Sequence, residues 1–211
     1  MRMRSRGVTL IEIIVASMVM VMVLSAIYRI FRSSAGVMQA GMWTTNAQNE
    51  VRNTLTFLSG EISRAGAFAT VTETGVTPDP DPKYQLYFKR GTIDKDFSGV
   101  ILKFYQCRTA INLPPTPDPG GRVFCEVKKE QGNLIINKTL EAGSSTEKLF
   151  SEKVLLSDVA EIKMESQVAA VGEQMAKALL TIVITVADPK KTSRLATSET
   201  KAKVDVETVE L

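Results

Sequence analysis

Apolar residues run almost without interruption from Val8 to Tyr28, and one carboxylate, Glu12, lies near the start of this run. About 20 apolar residues in an α-helix span the hydrocarbon core of a bilayer at 1.5 Å per residue. A carboxylate in hydrocarbon is costly unless it is paired, so an acid inside a membrane segment indicates a function. The pattern therefore predicts a membrane-spanning helix that carries one functional acid.

The pattern changes to an amphipathic one beyond residue 28. Four apolar residues follow spacings of four, three and four, which places them on one face of an α-helix: Val51, Leu55, Leu58 and Ile62. No proline occurs before Pro78, and we expect Gly66 to cap the helix at its C-terminus. The sequence predicts one helix from Val8 to about Gly66, with a transmembrane half over residues 8–28 and an amphipathic half over residues 29–66.

Short segments with β-branched or aromatic residues and partial alternation replace the helical pattern over residues 67–211. Seven segments are predicted as strands: Tyr84 to Lys89, Val100 to Gln106, Val123 to Lys128, Asn133 to Leu140, Val159 to Met164, Leu179 to Val186 and Lys203 to Leu211. An antiparallel sheet with one solvated face fits this alternation. We therefore predict an α+β protein, in which a long N-terminal helix packs on a globular head of antiparallel β-sheet.

The composition argues against an enzyme. The 211 residues contain no His, which removes the commonest general base and the commonest metal ligand. Two Cys are too few for a structural zinc site by themselves. The sequence also has no phosphate-binding loop, nucleophile elbow or paired-carboxylate signature. We expect neither a catalytic residue nor a cofactor.

The residues before the apolar run form a short basic leader, residues 1–7, with three Arg and no acid. The leader ends at Gly7, and Thr9 and Glu12 are the second and fifth residues after this glycine. This arrangement resembles the class III signal peptides of type IV pilins and pseudopilins, although that family usually has Phe where this chain has Val8. The resemblance implies cleavage between Gly7 and Val8 by a prepilin peptidase, and N-methylation of Val8. It also implies that Glu12 neutralises the amino terminus of a neighbouring subunit during assembly.

The charge of the leader predicts the orientation in the membrane. Its three Arg favour retention in the cytoplasm, and their removal leaves equal numbers of basic and acidic residues. Chain-wide charge therefore gives no support for nucleic-acid binding. With the resemblance, we expect a single-pass protein of the bacterial inner membrane whose head lies outside the cytoplasm.

The resemblance also implies partners. Other pilin or pseudopilin subunits are contacted through the helix, and the prepilin peptidase and the inner-membrane assembly platform are the remaining partners. A plain membrane anchor and a cleaved secretory signal are the alternatives.

The segment from Phe57 to Gly66 resembles the end of the long helix in PilW-type minor pilins and GspJ-type pseudopilins. The resemblance implies a structural subunit at the tip or in the initiation complex of a type IV pilus or a type II secretion pseudopilus. The alternative is an adhesin or DNA-uptake pilin whose head binds a surface ligand.

Two features of the head remain open from the sequence. Cys107 and Cys125 flank a Pro-rich loop, and a hairpin would bring them together in a disulfide that contributes about 3 kcal/mol. The alternatives are two thiols or a redox pair, although the spacing is not that of a Cys-X-X-Cys motif. Asp79 and Asp81 have the alternate spacing of calcium ligands, but the required Gly and downstream Glu are missing, so no metal site is predicted.

Overall fold

The structure is a computed structural model that describes residues 9–67, 69–78, 84–116, 118, 120–142, 145–169 and 177–211. These residues form one helix, α1 (Leu10–Ile62), and thirteen strands. The strands are β1 (Ala69–Thr72), β2 (Gly75–Pro78), β3 (Leu86–Phe88), β4 (Gly91–Asp94), β5 (Gly99–Arg108), β6 (Ala110–Ile111), β7 (Gly121–Glu130), β8 (Asn133–Ala142), β9 (Ser145–Leu156), β10 (Val159–Ala169), β11 (Lys177–Asp188), β12 (Lys191–Val204) and β13 (Thr208–Glu210). The chain divides into two compact units between Thr45 and Asn46.

The first unit contains the apolar part of α1. Its large apolar side chains are exposed all around the helix, with Leu10 at 77% and Phe31 at 72% exposure. A helix that is hydrophobic on every side belongs in a protein core or in a membrane, and this stretch is not part of a core. Within the described ranges, α1 is the one helix long and apolar enough to cross a membrane.

The second unit has a core formed by the end of α1 and the inward faces of the sheets. The predicted apolar face of the helix is confirmed, since all four of its residues are buried: Val51, Leu55, Leu58 and Ile62. They join strand residues in one hydrophobic cluster that includes Phe104, Leu134, Ile162 and Ile182. This helical segment is therefore held mainly by apolar packing.

The strands of the described residues form three sheets, with the orders β2-β1-β6, β12-β11-β10-β4 and β13-β3-β5-β7-β8-β9. Two pairings, β13 with β3 and β1 with β6, are parallel, and the others are antiparallel. The predicted α+β class, a long N-terminal helix followed by a mainly antiparallel β-domain, is confirmed.

Several strands differ from the prediction. β1, β2, β4 and β6 were not predicted, because each has four residues or fewer and shows little alternation. β9 and most of β12 were not predicted either, because both are edge strands that consist largely of exposed polar residues. The predicted last strand, Lys203 to Leu211, is divided: β12 ends at Val204, and β13 begins at Thr208 in another sheet. The alternation of apolar and polar residues indicated strand structure correctly here. It did not reveal that the chain passes from one sheet to another between Val204 and Thr208.

The helix ends at Ile62 rather than near Gly66. Two tight turns follow it, in which the Arg64 and Ala65 N–H groups donate to the carbonyls three residues earlier. Gly66 then donates its N–H to the Tyr105 carbonyl on β5 at 3.1 Å. Gly66 is not among the glycines with positive φ, so it joins the chain to the sheet instead of acting as a left-handed cap.

Candidate functional site

Thr9 and Glu12 form a capping box at the start of α1. The Glu12 carboxylate accepts hydrogen bonds from the Thr9 N–H and the Thr9 hydroxyl, both at 2.9 Å. The Thr9 hydroxyl oxygen in turn accepts the Glu12 N–H at 3.4 Å. This is the reciprocal arrangement that the spacing Thr-x-x-Glu favours at a helix N-terminus. The spacing of this capping box is visible in the sequence, where Glu12 was identified from its place in the apolar run and Thr9 from the family resemblance.

The capping box fixes the Glu12 carboxylate at the amino-terminal end of the helix. This end carries the positive pole of the helix dipole, which stabilises a negative charge. A carboxylate has about four lone-pair sites, so Glu12 can keep its bonds to Thr9 and still accept an ammonium group. The predicted cleavage residues, Gly7 and Val8, lie outside the described residues.

The serine hydroxyl groups within the apolar run are satisfied by the helix itself. Ser17 donates to the Ile14 carbonyl and Ser25 donates to the Met22 carbonyl, both at 2.8 Å. Such bonds between a side chain and the preceding turn leave neither serine hydroxyl without a partner in hydrocarbon. Between Leu10 and Tyr28, Glu12 is the one side chain that ionises.

A buried polar network joins the end of α1 to the six-stranded sheet. Lys138 Nζ lies 2.5 Å from the Glu61 carboxylate, and Gln106 Nε2 donates to the same carboxylate at 2.8 Å. Gln106 also donates to the Glu61 carbonyl at 2.9 Å. The side chains of Glu61 and Lys138 are only 9% and 11% exposed. We call Glu61, Lys138 and Gln106 the polar network.

The polar network keeps Glu61 ionised. Burial by itself would raise the pKa of Glu61, but the hydrogen bonds from Lys138 and Gln106 and the charges of Lys138 and Arg64 outweigh it and lower this pKa. The helical periodicity placed Glu61 away from the apolar face and gave no sign of burial. The strand pattern did contain a signal, because Lys138 follows Leu134 and Ile136 at alternate positions on the inward face of β8.

A second buried cation, Lys129, also lies on an inward strand position. It is fully buried and donates from Nζ to the carbonyls of Asp94 and Lys95, at 2.7 and 2.6 Å. Burial lowers the pKa of Lys129, and the charges of Asp96 and Asp94 oppose that effect. The Lys129 side chain holds the turn after β4 against β7, which is a structural role.

The structure differs from the disulfide hypothesis. Cys107 and Cys125 lie on the adjacent strands β5 and β7, but Cys125 is opposite Phe104 and Cys107 is opposite Arg122. An offset of three residues is about 10 Å along a strand, whereas a disulfide requires Cα atoms within about 7 Å. The odd offset also places the two side chains on opposite faces of the sheet. The cysteines are therefore not joined to each other, in agreement with the two-thiol alternative.

We expect the two thiols to differ strongly in reactivity. Cys125 is completely buried, and burial raises the pKa of its thiol to about 12, so its reactive thiolate is scarce at neutral pH. Cys107 is half-buried. Iodoacetamide added to the unreduced native protein is expected to label Cys107 before Cys125, and both after denaturation, as measured by peptide mass spectrometry. Cys107→Ser and Cys125→Ala are the controls, and an unlabelled pair after denaturation without reductant would contradict the geometry.

The described residues contain no group of three Asp, Glu or Cys side chains arranged to hold a metal ion. Asp79 and Asp81, which have the spacing of calcium ligands, lie outside the described residues.

Residues 2–28 match a family model described as the prokaryotic N-terminal methylation motif. No curated protein and no solved structure matches the chain significantly. The motif supports a pilin-like subunit, and proteins with this motif are generally structural rather than catalytic. The motif and the single apolar N-terminal helix fit a pilin anchored by one pass in the inner membrane. They suggest processing by a prepilin peptidase and assembly with other pilin subunits.

Proposed function

We propose that this protein is a minor pilin or pseudopilin, built into the tip or the initiation complex of a type IV pilus or a type II secretion pseudopilus. The observation that carries this proposal is the methylation motif over residues 2–28, within which a long apolar helix begins and has its start fixed by Thr9 and Glu12. The subunit is stored in the inner membrane and is extracted from it during assembly.

In this proposal the leader, residues 1–7, is removed and Val8 becomes the methylated amino terminus. The apolar helices of several subunits then pack together, so that contacts between helices replace contacts with lipid. Glu12 accepts the amino group of a neighbouring subunit. A buried carboxylate and a buried ammonium are each tolerated mainly when they are paired, so this contact sets the axial register of neighbouring helices.

The predicted anatomy is consistent with these steps. The transmembrane half over residues 8–28 supplies the assembly contacts, and the segment over residues 29–66 leads into the head over residues 67–211. The head decides which partner binds. A minor subunit, rather than the bulk subunit of a filament, is favoured because no proline occurs within or near the apolar run, where many major pilins have one.

Processing is the first step to test. We expect the protein extracted from membranes of its native host to lack residues 1–7 and to carry one methyl group on Val8, as measured by intact mass and N-terminal peptide sequencing. Gly7→Leu is the matched control, since a bulky residue at the cleavage position is expected to leave the chain at full length. If the native protein keeps residues 1–7, the data support only a membrane anchor followed by a β-domain, and the proposal is refuted.

A further inference from the structure

The six-stranded sheet has aromatic side chains on its outward face. Side chains alternate along a strand, and the inward residues Phe88, Phe104 and Cys125 belong to the core. Tyr87, Tyr105 and Phe124, which lie between or beside these residues on β3, β5 and β7, therefore point away from the core. All three are only partly buried. We call Tyr87, Tyr105 and Phe124 the aromatic face.

Two rings of the aromatic face are in contact, and the third lines the same depression. Tyr105 is opposite Phe124 in the strand register, and their ring centroids lie 5.1 Å apart. Lys103 is opposite Tyr87, with its Nζ 4.7 Å from the centre of that ring. These side chains surround a depression of about 260 Å³. This volume is just below the usual range of small-molecule sites, about 300–1,000 Å³, so it suits one ring of a larger ligand.

Polar side chains of both signs lie beside the rings. Across the strands, Lys103 is opposite Glu126, and Glu126 is opposite Asn137. On the other side of the Tyr105–Phe124 pair, Arg122 is opposite Glu141. The Glu141 carboxylate accepts a hydrogen bond from the Tyr105 hydroxyl at 3.5 Å. The aromatic face is thus bordered by three cations, two carboxylates and an amide, and the third cation, Lys128, pairs with Glu126 at 3.0 Å.

This mixture of positive and negative side chains restricts the class of ligand. A polyanion such as a nucleic acid would approach Glu126 and Glu141, and a basic peptide would approach Lys103 and Arg122, with repulsion in either case. A neutral ligand that presents an apolar ring face and many hydroxyl groups matches both the rings and the mixed donors and acceptors. Saccharides have this combination of properties.

We propose that the aromatic face binds a neutral saccharide, with a pyranose ring stacked against Phe124 and Tyr87 and its hydroxyl groups bonded to Lys103, Glu126 and Asn137. The proposal goes beyond fibre assembly and relies on it only for placing the head outside the cytoplasm. Binding by the purified protein requires no fibre, so failure of the saccharide site and failure of the assembly role are measured separately.

The test uses the full-length protein in micelles of lauryldimethylamine oxide, because glycoside detergents would themselves occupy a saccharide site. The probes are chitohexaose and cellohexaose as neutral saccharides, with heparin and an oligonucleotide of thymidines as polyanions. Saturation-transfer NMR and calorimetric titration measure binding. We expect at least one neutral hexasaccharide to bind and both polyanions not to bind.

Three variants locate the site. Phe124→Leu and Tyr87→Leu remove one ring each while keeping apolar bulk, and each is expected to weaken saccharide binding roughly three- to tenfold. Tyr87 lies outside the Tyr105–Phe124 ring pair, so its variant keeps the test valid if Phe124→Leu does not fold by circular dichroism. Phe150→Leu is the matched control, because Phe150 packs against the core on β9, and it is expected to leave binding unchanged.

Three results would overturn the proposal. They are the absence of binding to both neutral saccharides, binding to the polyanions only, and saccharide binding that folded Phe124→Leu and Tyr87→Leu variants leave unaltered.

Discussion

Glu61→Ala is expected to destabilise the second unit by about 3–5 kcal/mol, because the change leaves the Lys138 ammonium buried without its partner. Lys138→Met is expected to have a similar effect, since it leaves the Glu61 carboxylate with Gln106 as its remaining buried donor. Urea denaturation of the full-length protein in micelles, followed by the β-sheet signal in circular dichroism, measures the free energy of unfolding.

The double variant Glu61→Leu with Lys138→Met distinguishes the effect of an unpaired buried charge from the effect of losing side-chain packing. Replacing both charged partners by apolar residues of similar size is often neutral or stabilising, so the double variant is expected to recover most of the lost stability. Glu165→Ala is the surface control, because Glu165 pairs with Lys163 at 2.8 Å while both side chains are about half exposed. Its expected cost is below about 1 kcal/mol. Equal effects of Glu61→Ala and Glu165→Ala would refute a special role for the polar network.

The same network predicts how stability depends on pH. The pKa of Glu61 is lowered in the folded state, so its contribution is present above the unfolded-state pKa of a glutamate. It is lost as the pH falls through the lower folded-state pKa. The stability difference between the wild-type protein and Glu61→Gln is therefore expected to shrink in acid, whereas the difference for Glu165→Ala remains small throughout.

Glu12→Ala is expected to abolish incorporation into fibres while leaving membrane insertion and leader cleavage intact. The apolar run becomes more hydrophobic, so insertion is not impaired, but the amino terminus of the neighbouring subunit loses its counter-charge. Immunoblots of membranes and of sheared fibres from the native host measure the two pools. Glu50→Ala, which removes an exposed carboxylate later in the same helix, is the matched control and is expected to assemble normally.

Two further variants separate the charge of Glu12 from its capping bond. Glu12→Gln keeps an acceptor for the Thr9 N–H but removes the charge, so it is expected to fail in assembly like Glu12→Ala. Thr9→Val removes the hydroxyl bonds of the capping box at a cost of about 1 kcal/mol but keeps the carboxylate, and it is expected to assemble. Normal incorporation of Glu12→Gln would show that the cap, and not the charge, is what assembly requires.

The helix and its buried face could be predicted because both depend on local periodicity. The spacing of Val51, Leu55, Leu58 and Ile62 identified the side that packs in the core. Most of the longer strands with one apolar face were found for the same reason, whereas β1, β2, β4 and β6, with four residues or fewer, were not. The edge strands β9 and β12 were missed because a strand at an edge can be largely polar on its exposed positions and still pair with its neighbour.

The cysteines and the polar network show where local pattern was insufficient. Whether two strand residues meet depends on register, and the three-residue offset between Cys107 and Cys125 is set by pairing along the whole of β5 and β7. In the same way, Glu61 lies beside Lys138 although 77 positions separate them in the chain. The local pattern of neither segment indicates that these two distant residues become neighbours.

The sequence by itself determined the apolar run, the acid within it, the basic segment before it and the change from helical to strand period. These features depend on residues close together in the chain, since helix formation and membrane partition act on short segments. Only the tertiary structure decided the strand order, the polar network, the separation of the cysteines and the aromatic face. Each of these depends on which distant residues become neighbours, which is fixed by the packing of the whole β-domain.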